Sequence, residues 1–254
     1  TFALVLSVIS WGQQVPDKNF APVVERRAYA DDKGPTVCVD EAHHNFHTLG
    51  NRFWAFGKLV GLDGYRSKPN TSKFDKESLK ACDILVISNA QPSDDEWSKY
   101  PYPTPSAFSK AEIDAVHAWV EKGGRLLLIA DHMRLAGAAA ALADAFGVKF
   151  TDGFAYEGFN TFSELEQSAA KPTIFRTADN SLPKHPITTG RDQKESVKSI
   201  RTFTGQAFQA PAQAEPLLVL PKTFVALMPA VAWEFKPDTK QMPVGGWLQG
   251  AALK

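Results

Sequence analysis

The sequence predicts an α/β protein built on a doubly wound, mostly parallel sheet, as a single domain with an elaborated C-terminal part. Three observations carry that expectation. Thr36-Val-Cys-Val39, Ile84-Leu-Val-Ile87 and Leu126-Leu-Leu-Ile-Ala130 are short uninterrupted apolar runs, as strands buried on both faces of a parallel sheet require. Amphipathic helical patterns separate these runs, an alternation typical of wound sheets. Polar residues gather directly after each run, at the strand ends where open α/β sheets place their ligands.

The elements follow in order. Residues 1–14 contain the uncharged run Phe2-Ala-Leu-Val-Leu-Ser-Val-Ile9, too short to span a bilayer. It reads as the remnant of a signal-peptide core or an N-terminal anchor, with a buried strand as the alternative. Residues 15–34, with Pro16, Pro22 and Gly34, read as a linker, and the domain runs from 35 to 254. After the first strand, Phe53, Phe56, Leu59, Val60 and Leu62 recur at helical spacing and Gly64 stops the pattern. The second strand is Ile84–Ile87. Ser109-Lys-Ala-Glu112 is a capping box, followed by Ile113, Val116 and Val120 on one face and a Gly123-Gly124 stop. The third strand leads into an Ala-rich helix from Leu135 to Phe146, ended by Gly147, and Val148–Phe150 reads as a fourth strand. Beyond it, 197–203, 217–220 and 231–235 look strand-like, and 153–180 shows no period. Gly245–Lys254 stops without a closing helix or turn, so the domain is expected to continue past this sequence.

Composition narrows the function. Among 254 residues, 28 Lys+Arg balance 28 Asp+Glu, so no excess positive charge draws the chain to nucleic acid or to a membrane surface. A hydrophobic content of 44% supplies enough core to exclude disorder. Two cysteines build neither a disulfide framework nor a four-thiolate zinc site. If the export reading holds, the protein is extracytoplasmic. Cys38 and Cys82 then form one bridge or remain buried thiols, and their positions in and beside strands favour thiols.

The candidate chemistry lies at the strand ends. Asp40-Glu-Ala-His-His-Asn-Phe-His47 holds three of the six histidines. On a helical turn, His43 and His47 would face one side at metal-ligand spacing, with Asp40 or Glu41 as an oxygen ligand or general base. The alternatives are a polar site without metal, or histidines that only order the loop. A divalent metal such as zinc is the cofactor this pattern suggests. Ser88-Asn-Ala90 and Asp131-His-Met-Arg134 follow the next two strands. The helix starting near Arg134 would offer free N–H groups to an anion or oxyanion. Asp131, His132 and Glu41 are the candidate catalytic groups. Asp40, His44, Asn45, Asn89 and Arg134 are the candidate ligand contacts. Position 132, where a nucleophile elbow would carry Ser or Cys, is a histidine, which argues against covalent catalysis there.

A resemblance adds to this. Val37-Cys-Val-Asp-Glu-Ala-His-His-Asn-Phe-His-Thr48, Asp83-Ile-Leu-Val-Ile-Ser-Asn-Ala90, Trp119-Val-Glu-Lys-Gly-Gly124, Leu127-Leu-Ile-Ala-Asp-His-Met133 and Thr202-Phe-Thr-Gly-Gln-Ala-Phe208 resemble a bacterial family of exported proteins. That family belongs to the class I glutamine amidotransferase-like group, which includes trehalose-utilisation-type proteins. The resemblance spans residues 35–250 and implies a flavodoxin-like sheet. Amidotransferases carry a Cys nucleophile at the turn that reads Ala130-Asp131-His132 here, so glutamine hydrolysis is not implied. The leading expectation is a hydrolase acting on a polar small molecule or glycan, metal-assisted or not. The alternative is a non-catalytic ligand-binding or assembly module, with self-association left open.

Overall fold

A computed structural model describes residues 15–96, 100, 102–159, 161, 164–165 and 171–254, so the expectation for residues 1–14 lies outside the described residues. The first half alternates β1 (Thr36–Asp40), α1 (Trp54–Leu62), β2 (Arg66–Asn70), α2 (Lys76–Lys80), β3 (Ile84–Ser88), α3 (Lys110–Glu121), β4 (Arg125–Ile129) and α4 (Leu135–Ala145). Its four strands form one parallel sheet in the order β2-β1-β3-β4. β2 escaped the sequence reading because Arg-Ser-Lys-Pro-Asn is polar and carries a proline. Both are tolerated at a sheet edge, the place β2 occupies.

Strand alternation divides the core. Val37, Val39 and Val86 face Phe56 of α1 and Phe53 just before it. Cys38, Leu85 and Ile87 face the other way, against Leu79 of α2, Val116 of α3 and Leu142 of α4. The Ser109–Glu112 capping box forms as expected: the Ser109 hydroxyl accepts from the Glu112 N–H at 3.3 Å, and Glu112 accepts from the Ser109 N–H at 3.0 Å. On the α1 face a groove of about 440 Å³ remains beside β4, and Leu127 on its floor is 44% exposed.

Cys38 and Cys82 are joined in a disulfide with a Cα–Cα distance of 5.6 Å, which corrects the preference for free thiols. Parallel pairing of β1 with β3 explains it, because that register carries the residues just before β3 alongside β1.

The second half departs from a mostly parallel sheet. β5 (Lys149–Phe150) pairs antiparallel with β9 (Phe208–Gln209), in a sheet ordered β10 (Glu215–Val219), β13 (Leu248–Ala252), β9, β5. β6 (Phe154–Glu157) pairs with β11 (Phe224–Met228), which also pairs with β12 (Lys240–Pro243). β7 (Thr173–Arg176) pairs with β8 (Ser199–Thr202). The fold is therefore mixed α/β, one parallel sheet joined to several antiparallel ones. Val231–Phe235 is not a strand: it turns sharply, with Trp233 at φ 70°. The unclosed end inferred at Gly245–Lys254 contains β13.

His185 caps the short helix α5 (Pro186–Thr189): its Nδ1 accepts from the Ile187 N–H at 3.1 Å. Residues 15–34 carry no helix or strand, yet they are pinned to the turn between α1 and β2. Ala28 N–H donates to the Asp63 carboxylate at 2.7 Å, and Gly34 N–H to the Gly64 carbonyl at 2.8 Å.

β6 positions the second half against the parallel sheet. Ala155 points into one antiparallel core with Phe175, Leu220 and Ala226. Phe154 and Tyr156 point the other way, into a cluster with Met133 of the β4–α4 turn, Leu227, Trp233 and Phe235.

Candidate functional site

Register brings the C-terminal ends of β1, β3 and β4 to one rim, with Ser88 opposite Ile129. The predicted polar residues do converge there, and most bond to one another. Asp40 is fully buried, and both its oxygens lie 2.9 Å from His43 Nδ1. His43 Nε2 lies 2.8 Å from Glu112 Oε1, and the ring packs between Phe74 and Phe108 at 4.6 and 4.7 Å. Each ring nitrogen of His43 thus faces a carboxylate. Burial alone would raise the Glu112 pKa, but the hydrogen bonds from His43 and Ser109 outweigh it and hold the group at about 2.

Asn45 closes this network. Its amide donates to Asp40 at 2.9 Å, and its carbonyl accepts from the His43 N–H at 3.0 Å. That turn, together with His44 at φ 49°, replaces the helical turn expected over 43–47, so His43 and His47 do not share a face. His43 also spends both nitrogens on carboxylates. Among the described residues, no group of three or more His, Cys, Asp and Glu side chains is placed to hold a metal ion. Glu41 and His44 are directed elsewhere. Glu41 accepts from the Leu49 N–H at 2.8 Å, and exposed His44 pairs with Asp94 at 2.9 Å.

The α4 N-terminus is also taken, by a side chain the sequence did not reveal. One oxygen of Asp152 accepts from the N–H groups of Arg134 and Gly137, both at 2.9 Å, and the other from the Thr104 hydroxyl at 3.0 Å. The anion site expected near residue 134 thus holds an internal carboxylate. Arg134 is buried, with φ 79°, and its guanidinium donates to the Tyr100 carbonyl. Gly137 makes the approach possible, since a Cβ there would lie 2.6 Å from Thr104 Cβ and closer still to the Asp152 carboxylate. Alanine would gain about 1 kcal/mol of helix propensity, but overpacking costs roughly 1–3 kcal/mol. Gly137→Ala is therefore expected to lower the urea midpoint, and a midpoint at or above wild type would show that Asp152 does not need this contact.

A second cluster reaches the surface only through half-buried His47 and Asp131, while Ser88, Asn89 and His132 are buried. Asp131 accepts from the His132 N–H at 2.9 Å through Oδ1, and its own N–H donates to Asn89 Oδ1 at 2.9 Å. Asp131 Oδ2 has no hydrogen bond among the described residues. His47 Nδ1 lies 2.8 Å from the Ser88 hydroxyl, and its ring stacks on Phe53 at 4.7 Å. Burial, helped by Arg52 and opposed by Asp131, lowers the His47 pKa to about 4, so the ring is neutral at pH 7. His132 is buried against Phe154 at 4.7 Å, with Trp233 edge-on at 4.6 Å, and burial lowers its pKa against the pull of Asp131. Positive φ at Asn89, Arg134, Asp152 and Trp233 concentrates backbone strain around this rim. Strain is costliest at the bulky Arg134 and Trp233. Gln206 ties the rim to the second half: its amide donates to the Ala130 carbonyl at 3.4 Å and accepts from the Thr151 N–H at 3.1 Å.

Sequence reasoning missed Glu112, Asp152 and Tyr156 as rim groups. Glu112 had announced itself only as a helix cap. Thr151-Asp-Gly153 is turn chemistry that nothing tied to α4. Tyr156 lies in the stretch without a period.

No family model and no curated protein match this chain. Among solved structures, the mmIFT52 N-terminal domain is similar at 9% identity with a TM-score of 0.52, over 83% of this chain and 85% of that one. A putative ThuA-like protein from Bacteroides uniformis is 15% identical with a TM-score of 0.39, over 90% of this chain and 86% of that one. The first likeness shows a shared fold alone, and the second is too loose to argue from. Neither is described as a glutamine amidotransferase, so the amidotransferase-group family expected from the sequence is withdrawn. Three of its motifs, Val37–Thr48, Asp83–Ala90 and Leu127–Met133, lie on the parallel strands β1, β3 and β4 and the turns at their ends, features that the α/β sheet itself demands.

Proposed function

We propose that the chain is an extracytoplasmic ligand-binding module that takes a polar small molecule or glycan at the edge formed by His47, Asp131 and Trp233. One contrast carries this reading. Asp40, His43, Asn45 and Glu112 satisfy one another and Asp152 fills the α4 N-terminus, whereas Asp131 keeps an acceptor oxygen at a half-exposed edge beside aromatic rings. A few oriented polar groups on an apolar wall suit a ligand with both hydroxyls and a flat apolar face. The Cys38–Cys82 bridge supports the extracytoplasmic placement, since the cytosol keeps thiols reduced. Among the described residues, no helix is long and apolar enough to cross a membrane. We further infer that the four-stranded core is wound in the flavodoxin-like manner, supported by its strand order and by helices on both faces.

Calorimetric titration with glucose, galactose and cellobiose tests the reading. Asp131→Asn keeps an acceptor for the His132 N–H but removes the charge, and is expected to weaken saccharide binding about tenfold or more. No binding by wild type at tens of millimolar, or equal binding by the variant, would sink it. A hydrolase is the second reading, favoured by a neutral imidazole, His47, at the same edge as the Asp131 carboxylate. Ser88 is wholly buried and is not offered as a nucleophile. Product release that His47→Gln abolishes would decide for hydrolysis.

A further inference from the structure

Helices α2, α3 and α4 pack on one face of the parallel sheet, and α1 packs on the other. Beside α1 the groove of about 440 Å³ is lined by Val86 and Leu127 of the sheet and by Leu59 of the helix. Its rim is completed by Asp63 just after α1, by Val24 and by Arg191. Residues 24–34 run along this rim without helix or strand, and two kinds of contact hold them. Toward Gly34 the contacts are backbone and aromatic. The Ala28 N–H donates to the Asp63 carboxylate at 2.7 Å and the Tyr29 N–H to the Asp63 carbonyl at 3.2 Å, while the Tyr29 ring stands edge-on to Tyr65 at 5.1 Å. Toward Val24 the contacts are ionic. Arg26 reaches Asp192 at 3.1 Å and Glu195 at 3.4 Å, and Lys194 reaches Glu25 at 3.9 Å. Arg191 Nε donates to Glu195 at 2.8 Å and its Nη2 to the Arg26 carbonyl at 2.7 Å, so the arginine that lines the groove also holds the segment beside it.

We propose that residues 24–27 form an ionic strap, hinged at Ala28–Gly34, whose release from Arg191, Asp192 and Glu195 widens the apolar groove. Exposed ion pairs contribute little singly, but these share Arg26, Arg191 and Glu195 in one network. Two forces on the strap answer salt in opposite ways. Screening shortens from about 8 Å at physiological ionic strength to about 3 Å at 1 M, which weakens the pairs. The apolar contact of Val24 is not weakened by salt. Hydrogen bonds from Arg191 hold the Glu195 carboxyl at about 2, so the strap stays charged across physiological pH and responds to ionic strength. Opening of the groove is thereby coupled to the salt around the protein.

Trypsin cleavage after Arg26 and Arg27, followed by mass spectrometry, reads the strap, and a free peptide of residues 22–32 corrects for the effect of salt on the protease. Nile red fluorescence reads the groove. Raising salt to about 1 M in wild type, or Glu195→Gln at low salt, is expected to speed cleavage about fivefold and to raise the dye signal. Adding Leu127→Gln to Glu195→Gln should abolish the dye gain, because that side chain is 44% exposed in the groove. Cleavage of Glu195→Gln at the wild-type rate would overturn the strap. Faster cleavage without a dye gain, or a gain that survives Leu127→Gln, would overturn its hold on the groove. Should Glu195→Gln melt several degrees lower, Arg26→Gln replaces it, with Arg27 as the remaining cleavage site and the same outcomes deciding.

Discussion

His43→Leu is expected to destabilise the fold by about 3–5 kcal/mol, the usual cost of removing one partner from a buried ionic cluster. The arithmetic is local. Asp40 and His43 are wholly buried, and Glu112 approaches the imidazole from α3, so leucine leaves two carboxylates facing an apolar group. Neither can turn to water without pulling the β1–α1 loop or the first turn of α3 out of place. Glu112→Gln keeps neutral hydrogen bonds and should cost less. The sign of the pH dependence follows from Glu112, whose pKa falls from 4.5 to about 2 in the folded protein. A depressed carboxyl pKa adds stability above 4.5, and that stability is lost as pH falls from there through 2. The contribution is on the order of 3 kcal/mol. Urea midpoints at pH 7 and pH 3 check both points. Wild type should lose stability on acidification, and Glu112→Gln should lose less of it. A His43→Leu variant within 1 kcal/mol of wild type would show that the cluster is dispensable.

The cluster also marks how far the sequence can be read. β1, β3, β4, α1, α3 and α4 were legible because period and capping are local properties, and Ser109-Lys-Ala-Glu112 is bounded by one helical turn. Asp40, His43, Asn45, Asn89 and Asp131 were placed on one rim because strand ends follow from strand assignment. Whether those groups face a ligand or each other was not legible. Glu112 lies 69 positions from His43, and no spacing announces that pairing. Asp152 reaches the α4 N-terminus from beyond the next strand, so the helix end that looked open is filled. β2 and β6 were lost for opposite reasons, one too polar for a strand and the other in a stretch without alternation. Tyr156, on β6, was lost with it.

Reducing the Cys38–Cys82 bridge, or replacing both cysteines with alanine, should lower stability by about 2–4 kcal/mol. The bridge closes a segment with a sequence separation of 44, so it restrains the unfolded chain over β1, α1, β2 and α2 together. Loop-closure entropy alone gives about 4 kcal/mol for a segment of this size, and residual structure in the unfolded state reduces that figure. Both sulfurs sit in the core beneath α2 and α3, so the alanine pair also leaves a void, and it should be the less stable of the two forms. Urea unfolding with and without reductant measures the difference, and thiol titration of the native, unreduced protein should find no reactive cysteine. Free thiols in protein recovered from an oxidising compartment would remove the main support for extracytoplasmic placement. A reduced form as stable as the oxidised one would mean that β1 and β3 hold the segment together without the covalent link. The parallel register between Val37 and Ile84 already brings these strands side by side, which makes that comparison informative. The expected loss therefore measures what the bridge adds to a pairing the strands make on their own.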